Sequence, residues 1–261
     1  MLAGRTDLGI AVSESTKAFM VRYRFLPPER IRVVFNGAPL EEFKMPPLER
    51  SLAERARLGL RPEERVIGTV GRLDEQKGIA YLLRAAVGVL RQLPDVRFVI
   101  AGDGHLLEQH QEEARALGIA DRTVFAGFCE DVPTLQSVFD IQAFPSLWEG
   151  TPLTVFEAMA MRRPIVSTRV DGLAEVLRHG ENALLVPSRA PETLAAAILE
   201  LLRQPPLAAR LGAQAELDSR GYDVHRTVDQ LQGLYESLVA RGPRASLVRE
   251  AAPMRAASSR L

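Results

Sequence analysis

Residues 145–157, Pro-Ser-Leu-Trp-Glu-Gly-Thr-Pro-Leu-Thr-Val-Phe-Glu, place two carboxylates, Glu149 and Glu157, on either side of a proline. An apolar run at 141–144 leads into them and reads as a strand. Gly150 and Pro152 follow the first acid, and Pro152 suits an early helical position, where its missing N–H costs nothing. The backbone N–H groups of Leu153 and Thr154 are then expected to lie free at the positive end of a helix, a seat for phosphate. Glu157 alone could be an acid favoured near a helix N-terminus by the dipole, and Glu149 an ordinary loop acid. Neither reading accounts for a Trp-Glu-Gly-Thr-Pro turn directly after a strand. Two carboxylates beside an anion seat suit a phosphorylated, hydroxyl-rich ligand, because carboxylates accept hydrogen bonds from sugar hydroxyls.

A second group of candidates follows the apolar run at 66–70: Gly71-Arg72-Leu73-Asp74-Glu75-Gln76-Lys77-Gly78. Arg72 offers phosphate a planar fork and Lys77 a compact point charge, so the two form a candidate diphosphate clamp. Two bases on a loop can also be merely exposed. The clamp is favoured because this chain writes its basic residues as Arg almost throughout, with Lys only at 17, 44 and 77. Gly102-Asp103-Gly104 is only a fragment of a dinucleotide fingerprint; a tight turn lining the crevice fits it better, with Gly102 allowing close approach of a ligand. The four histidines show no metal-ligand spacing and are expected at the surface. No Walker-type loop and no Ser nucleophile elbow occur.

The elements that must position these residues are legible. Apolar runs at 66–70, 96–101, 123–126, 141–144, 164–168 and 183–186 read as strands buried on both faces. Amphipathic stretches at 79–93, 106–117, 132–138, 153–161 and 173–178 alternate with them, which predicts a doubly wound parallel α/β sheet with right-handed crossovers. Helices are also predicted at 48–58, 191–203, 206–217 and 225–239. In the strand order 3-2-1-4-5-6 the first and fourth strands of this sheet flank the switch point, where ligands bind at the carboxyl ends. Arg72 and Lys77 are then expected to face Glu149 and Leu153 across one crevice. Residues 1–38 read as a separate β-α-β piece, with a strand at 8–12, a helix at 14–25 and a strand at 31–35. It is too small to bury its own faces. Residues 39–60 read as a linker with a lead-in helix, 61–222 as the main domain, 223–240 as a terminal helix and 241–261 as a disordered tail.

Composition limits the function. The 261 residues carry 33 Lys+Arg against 33 Asp+Glu, and this balance lacks the basic footprint of a nucleic-acid binder. The single cysteine, Cys129, cannot form an internal disulfide, which fits a reducing compartment. No signal-peptide pattern and no apolar stretch of membrane-spanning length occur. The expected location is cytoplasmic, free or peripheral at the inner membrane face.

Together the motifs resemble the nucleotide-sugar-binding half of a GT-B glycosyltransferase of the retaining family 4 group. The resemblance runs from about Asn36 to about Leu217. It rests on Asn36-Gly37, Gly71-Arg72-Leu73 with Lys77-Gly78, Gly102-Asp103-Gly104, the pair Glu149 and Glu157, Ala158-Met159-Ala160 with Pro164, and Asp171-Gly172-Leu173-Ala174-Glu175. Thr151-Pro152 stands where many members have Phe-Gly, which removes one backbone donor. The resemblance implies transfer from a nucleoside diphosphate sugar with retention of configuration, without a cofactor or a tightly bound metal. It implies that Arg72 and Lys77 meet the diphosphate, Glu157 the ribose and Glu149 the donor sugar, while the backbone near Phe128 meets the base. Gly71, Gly102, Gly150, Leu153 and Thr154 complete the implied donor site. The residues before Asn36 resemble only the last β-α-β of the family's acceptor-binding half, so a truncated product or a fragment is expected. It would need the missing half or a partner chain and turn over slowly or not at all alone, with an acceptor that the sequence does not identify. A non-catalytic nucleotide-sugar-binding module is the alternative; the clamp and the glutamate spacing argue against a nucleotide-sugar epimerase.

Overall fold

The fold was taken from a computed structural model, which describes residues 6–240. The expected tail at 241–261 lies outside the described residues. Strand β1 (Gly9–Ala11), helix α1 (Glu14–Arg22) and strand β2 (Ile31–Val33) form a parallel two-stranded unit, with Gly9 opposite Ile31. Helix α2 (Leu48–Arg57) leads to the main sheet. There follow β3 (Arg65–Val70), α3 (Ile79–Leu90), β4 (Val96–Ala101), α4 (Leu107–Ala116), β5 (Thr123–Gly127) and α5 (Val132–Ser137). The second half is β6 (Ile141–Phe144), α6 (Leu153–Ala160), β7 (Ile165–Thr168), α7 (Asp171–Val176) and β8 (Leu184–Val186). Helices α8 (Pro191–Arg203), α9 (Pro205–Ser219) and α10 (Val224–Ala240) close the described chain.

The six strands run parallel in the order β5-β4-β3-β6-β7-β8, the doubly wound order that the alternating pattern predicts. Successive residues of one strand enter different cores, which is why the strands read as continuous apolar runs. Ile67, Phe98, Ile100 and Ile141 pack with α3 and α8 through Leu82, Leu83, Ile198 and Leu201. Val66 and Val99 face the other way, toward Leu135 and Phe139. Gly68 makes room there, since a Cβ on it would stand 2.2 Å from the Phe139 ring. Phe156, Met159 and Leu173 fill the rest of that second layer beside β6 and β7.

Several boundaries differ from the sequence reading. Helix α1 stops at Arg22 rather than at residue 25, because Arg24 takes the left-handed conformation (φ 55°) and turns the chain out. Helix α7 begins two residues earlier than expected, at Asp171. Pro152 is the N-cap of α6, with extended backbone (φ −71°, ψ 132°), rather than a helical residue. The expectation of surface histidines fails at His110, which is buried on the core side of α4.

The small unit is fastened to the large one at the end where the sheet's loops gather. The Glu175 carboxylate on α7 accepts the N–H groups of Glu14 (2.7 Å) and Ser15 (2.9 Å) at the start of α1. The Thr151 hydroxyl donates to the Val12 carbonyl (2.8 Å), and the Asn36 amide to the Thr151 carbonyl (3.1 Å). On the linker, Ala38 exchanges backbone bonds with Tyr222 and Val224, 3.0 Å each. Glu175→Ala removes the acceptor of two α1 amides. It is expected to cost about 1 kcal/mol, as loss of a helix cap does. Amide hydrogen exchange over residues 14–20 should rise while that of the six-stranded sheet stays unchanged.

Candidate functional site

The loop after β3 is built as a rigid arm. The Asp74 carboxylate accepts the Lys77 N–H (3.3 Å) and caps a short 3-10 turn over Glu75–Lys77. Gly78 ends that turn in the left-handed region (φ 63°), where a Cβ would stand 2.1 Å from the Pro145 carbonyl oxygen. Only glycine lets this arm lie against the exit of β6. The neighbouring loop approaches as closely: a Cβ on Gly102 (φ 127°) would stand 1.9 Å from the Gly71 carbonyl oxygen. Gly102 is thus a packing glycine of a tight turn. Further contacts close the seam, Gly71 N–H to the Ala101 carbonyl (3.0 Å) and Leu73 N–H to the Asp103 carbonyl (2.7 Å).

Lys77 and Glu149 meet where the strand order reverses, between β3 and β6. Lys77 Nζ lies 2.6 Å from Glu149 Oε1. The Glu149 side chain is 4% exposed and that of Lys77 19%. The same Oε1 accepts from the Ser146 hydroxyl (2.9 Å), and Oε2 accepts from the Gln76 amide (3.1 Å). That amide also donates to the Trp148 carbonyl (3.1 Å), and the Gln76 carbonyl receives the Leu147 N–H (2.8 Å). Gln76 and Ser146 were not singled out from the sequence. Their only signal is adjacency, since Gln76 precedes Lys77 and Ser146 opens the turn that carries Glu149. Arg72 stands apart from this cluster, with its side chain 74% exposed and Nη2 3.3 Å from Asp74 Oδ2.

Around this pair lie the other expected residues. On one side is a cavity of about 250 Å³ at the ends of β3, β4 and β5, lined by Val70, Gly71, Arg72, Gly102, Phe128 and Cys129 among others. Phe128 itself is exposed. On the other side Leu153 and Thr154 form the first turn of α6. Their N–H groups precede that helix's first internal bond, which Val155 makes to the Pro152 carbonyl (3.2 Å). Gly150 lies in the intervening turn, tight enough that a Cβ on Gly172 would overlap its carbonyl oxygen. Glu157 sits one turn into α6, where burial pushes its carboxyl up to about 7. Among the described residues no group of three or more His, Cys, Asp or Glu could hold a metal ion. None of their helices is long and apolar enough to cross a membrane.

Known proteins share this arrangement. The sequence profile described as "Glycosyl transferases group 1" matches residues 51–218. The chain is 32% identical over 235 residues to the alpha-D-kanosaminyltransferase of Streptomyces kanamyceticus, covering 88% of the chain and 60% of that relative. It is 32% identical over 245 residues to the D-inositol 3-phosphate glycosyltransferase of Rhodococcus jostii, covering 90% and 53%. In three dimensions it is similar to Anabaena HepE in complex with UDP: TM-score 0.83 at 26% identity, covering 90% of this chain and 65% of that one. It is also similar to sucrose-phosphate synthase from Thermosynechococcus elongatus, with TM-score 0.77 at 26% identity, covering 89% and 58%. The chain therefore spans little more than half the length of these curated relatives. The doubly wound sheet is the Rossmann-like half of a GT-B fold, as the resemblance implied. Because the matched profile takes in all six strands of that sheet and the loops that carry Lys77, Glu149 and Glu157, the chain belongs to the glycosyl transferases group 1 family.

Proposed function

We propose that this chain is the donor-binding part of a glycosyltransferase that moves a sugar from a nucleoside diphosphate sugar to an acceptor with retention of configuration. The observation that carries this reading is the Lys77–Glu149 pair at the switch point, with Arg72, the α6 N-terminus and Glu157 around it. The base lies in the cavity beside Gly102 and Phe128, and the diphosphate meets Arg72, Lys77 and the N–H groups of Leu153 and Thr154. HepE, similar over 90% of this chain, has been crystallised with UDP, with UDP and glucose, and with UDP-glucose, which supports a nucleotide sugar as the ligand.

In the transfer, the bond between the anomeric carbon and the diphosphate oxygen breaks and a bond to the acceptor oxygen forms on the same face. The acceptor's proton leaves with the departing phosphate oxygen. Charge grows on the diphosphate as it departs, so pre-placed cations and N–H dipoles are the main catalytic contribution of this half. Glu149 holds Lys77 in place for that task and presents its turn to the donor sugar. Residues 61–222 would form the donor domain and residues 1–38 the remnant of an acceptor-side domain. A second reading, a binding module that needs a separate acceptor-binding chain, is favoured by the apolar surface that Phe19, Tyr23 and Phe25 leave exposed on the small unit.

Calorimetric titration with UDP, GDP and ADP tests the donor site. One of them is expected to bind, and Lys77→Ala and Glu157→Ala should each weaken it at least tenfold, which is about 1.4 kcal/mol. Absence of binding, or unchanged binding by both variants, overturns the assignment.

Glu157 makes that affinity depend on pH. An ionised carboxylate accepts from two ribose hydroxyls more strongly than the protonated acid, which spends one oxygen on its own proton. Binding should therefore strengthen from pH 6 to pH 8 in the wild type and stay flat in Glu157→Gln. Folding stability moves the opposite way. The folded group holds its proton up to about 7, against an ordinary value of 4.5. Between those values the native chain binds more protons than the unfolded one, so this group's contribution to stability falls as pH rises through that window. In thermal denaturation Glu157→Gln should therefore gain on the wild type at pH 8 relative to pH 4.

A further inference from the structure

One buried titratable group takes no part in the Lys77–Glu149 site: His110, at the end of the first turn of α4 and 3% exposed. Both of its ring nitrogens are out of water, with no hydrogen-bond partner among the described residues. A neutral imidazole carries one N–H and one lone pair, so a donor and an acceptor both go unpaired here. Leaving them so is costly, and an aliphatic side chain would fill the place without that cost. What a histidine adds is a proton that it can take up.

Its place is a seam between α4 and the arm after β3. Leu106 N–H donates to the Leu73 carbonyl on the arm (3.1 Å), and His110 N–H donates to the Leu106 carbonyl (2.9 Å). Gly104 presses on the same point, since a Cβ on it would stand 2.4 Å from the Leu73 carbonyl oxygen. Four residues further along, the arm carries Lys77. The first turn of α4 thus hangs from the backbone that positions that ammonium.

Two carboxylates act on the imidazole, Glu113 of α4 itself and Glu75 of the arm. Each already has a basic partner. Glu113 Oε1 lies 2.9 Å from Arg84 Nε on α3, and Glu75 Oε2 lies 3.5 Å from His105 Nε2 at the start of the seam. Glu75 is also held below the usual carboxylate range, first by its own backbone N–H and then by His105. A proton on His110 therefore brings charge into a dry seam whose acids are engaged elsewhere. Burial accordingly pushes the imidazole below its ordinary 6.5, against the pull of Glu113 and Glu75. A chain opened at the seam takes up the proton near 6.5, and the closed chain only at lower pH. The open form binds more protons in that window, so closure holds fully above 6.5 and is lost as pH falls through the closed-state value.

We propose that His110 is a proton-operated positioning residue for the arm that carries Lys77: uncharged, it lets α4 close on the arm, and protonated, it drives the seam open. The seam is the part that yields, because the arm has only a short 3-10 turn of its own while β3 and β4 behind it are bonded along their length. The consequence for nucleotide binding rests on the donor reading above; the opening of the seam does not.

Hydrogen exchange of the full chain without ligand, corrected for the intrinsic pH dependence of exchange, reads the seam directly. Protection of residues 73–78 and 105–110 is expected to fall about fivefold or more from pH 7 to pH 5, while β3 and β4 keep theirs. His110→Phe keeps a ring without a titrating nitrogen, and its protection should stay within about twofold over that range. In the wild type alone, one of the four imidazole NMR titrations should lie below the ordinary range, with a midpoint that matches the loss of protection. Seam protection that is flat with pH, four ordinary imidazole titrations, or a His110→Phe chain that opens in acid like the wild type each overturn the proposal. UDP binding is then measured in Glu157→Gln, which lacks the other titrating carboxyl. Its affinity should fall about threefold or more from pH 6 to pH 5, and the fall should vanish when His110→Phe is added. A seam that opens while that affinity holds overturns the positioning role. A chain that binds no UDP at any pH overturns the donor reading and not the switch, which the exchange data decide.

Discussion

The site is organised around one ion pair, Lys77 with Glu149, held at 2.6 Å between two loops that belong to neighbouring strands of the sheet. Taking a carboxylate out of water is expensive, and attraction to a single cation does not by itself repay it. Here the remaining lone pairs are also satisfied, by the Ser146 hydroxyl and the Gln76 amide. The pair thus locks the arm after β3 to the turn after β6. Its value to function lies in preorganisation. Lys77 is already largely out of water, with its side chain 19% exposed, and the carboxylate fixes its direction, so on the proposed donor reading it would meet a diphosphate without first being oriented. Arg72, by contrast, has its side chain 74% exposed and pairs only at 3.3 Å with Asp74.

The rest of the architecture brings those loops to that distance. A parallel sheet buried on both faces puts every carboxyl-end loop on one side, and the order reversal at β3 and β6 leaves a gap there that no crossover covers. Backbones must then approach one another more closely than side chains permit. Gly78 lies against Pro145, Gly102 and Gly104 against Gly71 and Leu73, and Gly172 against Gly150. These contacts are made through carbonyl oxygens, so the loops brace one another independently of a hydrophobic filling. The small β1-α1-β2 unit joins the same end through Glu175, Thr151 and Asn36. Among the described residues its own core is Ala11, Leu26 and Ile31 with a few half-buried neighbours.

Much of this was legible in the sequence because its signals are strong and local. Continuous Val, Ile and Phe runs pointed to strands covered on both faces, which holds except at the edge strand β5, where four of five residues are half-buried, and the chemistry-bearing residues follow those runs directly. What escaped depends on long-range packing. The 3.6-residue spacing of Leu107, His110 and Ala114 places His110 on the core side of α4, yet a histidine's polar nitrogens argue for solvent. Burial prevails, pushes its proton affinity down, and leaves both ring nitrogens without a partner among the described residues. Gln76 and Ser146 carried no pattern, since a neutral amide and a hydroxyl acquire a role only when a distant carboxylate arrives beside them. Glu149 was legible as a site acid. Its multiple bonds to Lys77, Gln76 and Ser146 could be seen only once the two loops were set face to face.

Glu157 shows how two local effects compete at one helix end. A carboxylate near the first turn of α6 should be stabilised by the helix dipole, which favours the charged form. Its proton affinity instead moves upward, to about 7, and burial is the cause. Desolvation therefore outweighs the dipole. Pro152 sharpens the effect: as an extended N-cap with no N–H, it contributes no donor to the acid or to an anion. The N–H groups of Leu153 and Thr154 remain outside the helix's internal bonds, where the proposed donor reading places the phosphate. On the proposed donor reading, ribose hydroxyls donating to that carboxyl would pull its proton affinity back down, so binding and ionisation would favour each other. The helix end thereby presents two different chemistries, backbone N–H donors at its tip and a side-chain carboxyl one turn in.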